Sequence, residues 1–177
     1  MFVLAYAFLT TYQAYYLLHE IGSAEGDVPH QIFLGTLIQA AVIVAASLIG
    51  GRISDLVGRR KIFVVIASIV YGIAMFAIAI ASGFNGYLVG MAVAELGFGM
   101  YMAVDLALVV DVLPAGGSDA KNLGVFNIGA ALPFSVGPAV ASGVLAITND
   151  SYAVLYMIAG ARAIIGAGAI LPVKCAR

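Results

Sequence analysis

Six long apolar stretches, each parted from the next by a short polar one, make up almost the whole chain. They run approximately over 2–18, 31–51, 62–81, 87–113, 123–147 and 152–173. All are too long for strands, and each predicts a helix. A helix needs about 20 mainly apolar residues to cross a hydrocarbon core of roughly 30 Å, so six crossings leave no room for a soluble domain. The intervening segments HEIGSAEGDVPH, RISDLVGRRK, SGFNG, PAGGSDAKN and TNDS are short enough to join antiparallel neighbours. The pattern therefore predicts an all-α membrane protein, a single six-helix transmembrane bundle over 1–177.

Composition points the same way. Hydrophobic residues are 63% and charged residues 10% of the 177 positions, outside the range of ordinary soluble domains. With a net charge of -1 and no long basic or acidic run, a nucleic-acid surface is unsupported. Cys175 is the only cysteine, which excludes an internal disulfide and a cysteine-based metal cluster. Neither a metal nor a cofactor is expected.

The cations carry orientation. Arg52, Arg59, Arg60, Lys61, Lys121, Lys174 and Arg177 fall on one side, and Glu20, Glu25, Asp27 and Asp150 fall on the other. Lys and Arg are retained on the cytoplasmic side during insertion, so both termini are expected in the cytoplasm of a plasma-membrane protein. Met1 leads straight into FVLAYAFL without a basic lead, so the first helix is expected to be retained and the chain to begin mid-protein. Spacings such as Gly86 to Gly90, Gly124 to Gly129 and Gly160 to Gly166 suit close helix packing in lipid. Pro133 and Pro138 should bend or locally unwind the fifth helix.

Between the second and third stretches stands GGRISDLVGRRK, from Gly50 to Lys61. Gly51, Asp55, Gly58, Arg59, Arg60 and Lys61 resemble the signature loop of the major facilitator superfamily, with Leu56 where that family usually has Arg or Lys. In the bare residues, Gly51 permits helix approach, Gly58 a tight connection, and the three cations an anchor in an anionic leaflet. Asp55 is placed to sit at the amino-terminal end of a neighbouring helix, where the dipole favours negative charge. A basic turn that merely obeys the positive-inside rule is the plainer alternative.

The fourth and fifth stretches, GFGMYMAVDLALVVDVLP and AKNLGVFNIGAALPFSVGPAVA, are similar to helices ten and eleven of a sugar-porter-like branch related to glycoside and sucrose:cation symporters. The resemblance implies the carboxyl-terminal half of a 12-helix fold, built as a 3+3 inverted repeat. It further implies symport of a sugar or glycoside with protons by alternating access. In that family the loop aspartate reaches a helix of the other half. The expected partners are therefore a small-molecule substrate, a proton, membrane lipids, and either a missing amino-terminal six-helix half or a second copy, with truncation the favoured explanation.

Ionisable groups within the membrane are functional hypotheses by default. Glu95 and Asp105 lie ten residues apart on one helix, about 80° apart around its axis, and can face one cavity. Either could carry a proton across, or could instead satisfy a neighbouring helix by hydrogen bonding. Arg162, within the last stretch, could counterbalance one of them or could be tolerated in a remnant that is no longer under selection. Tyr12, Gln13 and Tyr16 make a candidate substrate wall, with an interfacial aromatic belt as the alternative. Gln39 and Asn127 are either substrate contacts or interhelical hydrogen bonds.

An intramembrane serine protease would need a membrane histidine, whereas His19 and His30 are expected in the outer connector. Asp105 is preceded by AV rather than the glycine motif of paired-aspartate proteases. No enzyme is expected. Efflux of a drug or metabolite, a non-transporting scaffold and a truncated remnant remain the rival readings.

Overall fold

A computed structural model describes residues 2–112 and 119–170, and these form six helices. They are α1 (Phe2–His19), α2 (Val28–Val57), α3 (Arg60–Ala79), α4 (Phe84–Val112), α5 (Asp119–Ile147) and α6 (Tyr152–Ile170). Lys174, Cys175 and Arg177 lie outside the described residues.

Helix α2 extends beyond its apolar stretch at both ends. Pro29 opens it, where a missing backbone donor costs nothing. Gly58 closes it with φ 66°, and its N–H bonds the Ser54 carbonyl at 2.9 Å. The helix therefore runs through Gly51, and the turn lies at Gly58 and Arg59. His30 consequently sits in the first turn of α2 and His19 ends α1, so neither belongs to the connector.

Five helices, α2 to α6, are long and apolar enough to cross a membrane. α1 carries Thr10, Thr11, Tyr12 and Gln13, which make it the more polar exception. Its 18 residues still reach roughly 27 Å at 1.5 Å per residue. It lies against α5 and α6, and Thr10, Tyr12 and Gln13 are partly buried while Thr11 is exposed. α5 stays helical through Pro133 and Pro138, so the expected unwinding does not occur.

The neighbours follow a regular scheme. α4 packs between α2 and α3, α3 also packs on α6, and α1 packs on α6 and α5. Exchanging α1, α2 and α3 for α4, α5 and α6 turns the α2–α4 contact into α5–α1 and the α3–α4 contact into α6–α1. It returns α3–α6 to itself. The helices exchanged in second place, α2 and α5, are the peripheral ones. Only 11% and 17% of their most apolar stretches are buried, against 50% for α3. Phe33, Leu37, Leu48 and Ile128 stand exposed on them, a face that suits lipid and would aggregate in water.

At the α3–α6 crossing, Gly72 and Gly160 face each other. A Cβ on Gly72 would lie 2.9 Å from the Gly160 carbonyl oxygen, and one on Gly160 would lie 2.8 Å from that of Gly72. The backbones meet because neither residue has a side chain. At the end of the bundle away from the α2–α3 loop, Glu20 follows α1 and accepts the Ala153 N–H of α6 at 2.9 Å. A carboxylate at a helix N-terminus satisfies a donor that the helix itself cannot.

Candidate functional site

Two acidic side chains of α4 define two different environments. Glu95 lies near the middle of the helix and is fully buried. Gln39, near the middle of α2, donates from Nε2 to Glu95 Oε1 at 2.6 Å. Glu95 Oε2 is buried without a hydrogen-bond partner, and so is the Tyr71 hydroxyl of α3. Tyr6, Tyr71 and Tyr87 stand in the neighbourhood of Glu95. With Oε1 committed to Gln39, Oε2 is the oxygen left to take up or lose a proton. Each exchange would change the charge buried between α2 and α4.

Asp105 is ten residues further along α4, about 15 Å nearer the end that carries the α2–α3 loop. That rise sets the two carboxylates at different depths of the bundle, although their angular spacing places them on neighbouring faces of the helix. Asp105 lines a cleft of about 390 Å³ between α1, α4 and α5, and Glu95 does not. Phe98, Tyr101 and Met102 of α4 and Asn127 and Phe134 of α5 line it as well. On α4 the spacing from Phe98 to Tyr101, Met102 and Asp105 is that of a single helical face. Asn127 and Phe134, two turns apart on α5, share the facing side.

The aromatic members of this wall are braced from α1. Phe2 stacks on Tyr101 at 4.1 Å between ring centroids, and Tyr6 stacks on Phe98 at 3.8 Å. Tyr6 also meets the Phe134 ring edge-on at 6.2 Å. The Tyr101 hydroxyl stands beside the Asp105 carboxylate one turn away. Tyr6 thus packs on two rings of the cleft wall, Phe98 and Phe134.

Of the other polar residues singled out in the sequence, Asn127 alone lines this cleft. Gln39 bonds Glu95. Tyr16 is buried and donates its hydroxyl to the Ile78 carbonyl of α3. Tyr12 donates to the carbonyl of Pro138 itself, the second proline of α5, at 3.2 Å. Gln13 is half-buried on α1 away from the cleft lining. Tyr12, Tyr15 and His19 gather around Tyr152 at the far end, where Tyr15 and Tyr152 stack at 6.0 Å. Among the described residues Arg162 forms no ion pair with Glu95 or Asp105.

The basic loop is ordered by its own residues. Arg60, the first residue of α3, pairs with Asp55 of α2 at 3.2 Å across the Gly58 turn. Asp55 therefore lies at the amino-terminal end of α3, and both partners retain contact with solvent. Gly51 packs ordinarily on Ala103 of α4, whereas the neighbouring Gly50 makes the tighter approach, against Met100.

The cleft aromatics Phe98, Tyr101 and Phe134 were not picked out by sequence reasoning. Their helical spacing around Asp105 and Asn127 was the available signal, hidden among many apolar residues of similar type. Among the described residues no cluster of His, Cys, Asp and Glu could hold a metal. A family model described as Major Facilitator Superfamily matches residues 1–174. A search of curated proteins finds no match.

Proposed function

Because this chain belongs to the major facilitator superfamily, a family of multi-pass membrane transporters of small solutes, we propose that it moves an organic solute by proton-coupled alternating access. The observation that carries the reading is the pairing, on one helix, of a buried acid with a free oxygen and a second acid facing an accessible cleft. Glu95 is assigned the proton and the Asp105 cleft the solute. Tyr6 and the rings stacked on it convey the state of one to the shape of the other.

The neighbour scheme supports two inverted three-helix repeats, since α1 to α3 and α4 to α6 exchange places in it. In this reading α1 is the sixth crossing, the basic loop faces the cytoplasm, and the poorly buried α2 and α5 meet lipid or another six-helix unit. Sugar symport is less well supported by the cleft than transport of a more apolar solute. Among the described residues that line it, Asp105 and Asn127 are the hydrogen-bonding groups beyond the tyrosine hydroxyl, and a pyranose offers many hydroxyls to satisfy.

The experiment is uptake into proteoliposomes with an imposed pH gradient. Accumulation above equilibrium should collapse with a protonophore and in Glu95→Gln, while downhill exchange persists in the variant. Undiminished accumulation in Glu95→Gln removes that residue from coupling.

A further inference from the structure

The lining of the α1–α4–α5 cleft has the chemistry of a cation site. Among the described residues that form it, Asp105 is the one carboxylate, and no Lys, Arg or His contributes. A carboxylate in a largely apolar recess needs either a proton or a counter-charge. Around it stand the rings of Phe98, Tyr101 and Phe134 and the thioether of Met102. Aromatic faces are electronegative and attract a desolvated organic cation, while their carbon surface accepts its apolar groups.

These rings are also pre-set. Phe2 holds Tyr101 and Tyr6 holds Phe98 and Phe134 by direct ring contact, so an incoming ligand does not have to order them. The cleft volume of about 390 Å³ lies within the range of small-molecule pockets. Asn127 adds an amide whose oxygen can turn toward a cation or whose nitrogen can turn toward an acceptor.

We propose that this cleft binds a lipophilic organic cation, its charge set against Asp105 and its apolar groups against Phe98, Tyr101 and Phe134. The inference rests on the reading of the cleft as the solute site and names the class of solute. It is independent of which acid carries the proton.

The test is equilibrium binding to the full chain in lipid nanodiscs, with tetraphenylphosphonium as the cation and triphenylphosphine oxide as a neutral probe of similar shape. The cation should bind roughly tenfold tighter or better, since ring and carboxylate contacts together exceed the corresponding free energy. Asp105→Asn should remove that preference, Asp105→Glu should restore most of it, and Phe134→Leu should weaken both probes. Equal affinity for the two probes in the unaltered chain overturns the cation assignment while leaving a solute cleft. Competition by p-nitrophenyl glucoside with no cation binding also overturns it, in favour of a sugar. Absence of binding by all three probes overturns the solute cleft itself, and with it the reading on which the inference rests.

Discussion

Gln39 and Glu95 meet at 2.6 Å at the middle of the α2–α4 contact, and they are the two buried polar side chains that join those helices. The bond uses one carboxyl oxygen and leaves the other without a partner. Removing Gln39 would leave both oxygens unsatisfied in a place that water does not reach. Gln39→Ala should therefore destabilise the detergent-solubilised chain by about 1–3 kcal/mol, seen as a lower unfolding temperature. Glu95→Gln, which keeps an acceptor for Gln39, should cost much less. A larger loss in Glu95→Gln than in Gln39→Ala would mean that the carboxylate charge, not the bond, holds the helices.

The backbones of α3 and α6 touch at Gly72 and Gly160, so any side chain there must push the helices apart. Gly160→Val should destabilise by about 1–3 kcal/mol or prevent folding altogether. Gly143→Ala is the matched control, since a Cβ there meets nothing within 4 Å. That variant should be neutral or slightly stabilising, because alanine is the better helix former. Thermal unfolding of the two proteins side by side measures the contrast.

How far this was readable in advance differs between levels. The helices were legible because hydropathy reports burial in lipid directly, and helix boundaries shifted most in α2, where Pro29 and Gly58 set them beyond the apolar stretch, and by up to four residues at the ends of α3, α4 and α5. The Asp55–Arg60 loop was legible because its residues are neighbours in the chain. The cleft was not, for two reasons. Angular spacing brought Glu95 and Asp105 together, but the axial rise of α4 takes them to different depths. The hydroxyls of Tyr12 and Tyr16 suggested a substrate wall, yet both serve backbone carbonyls of other helices, Pro138 and Ile78. Only the assembled bundle shows which polar groups already have partners.

Glu20 joins the end of α1 to the start of α6, and its target, the Ala153 N–H, has no acceptor within α6. Glu20→Ala should weaken this helix start by about 0.5–2 kcal/mol. The site is exposed, so the global unfolding temperature should move little. Hydrogen exchange at the Ala153 amide should accelerate while α3 amides stay protected. Unchanged exchange at Ala153 would show that water replaces the carboxylate without loss.

Asp55 and Arg60 are both partly solvated, with side-chain exposures of 67% and 25%. An exposed pair of this kind contributes about 0–1 kcal/mol, so Asp55→Asn should leave the unfolding temperature nearly unchanged. A role in alternating access predicts something different. If the pair orders the α2–α3 turn in one conformation and opens in the other, its loss changes the balance of states, and transport rate falls without loss of solute affinity. Uptake kinetics separate the possibilities: a lower maximal rate at unchanged half-saturation and unchanged stability marks a conformational role. Unaltered kinetics in Asp55→Asn would reduce GGRISDLVGRRK to a basic turn that anchors the chain in its membrane.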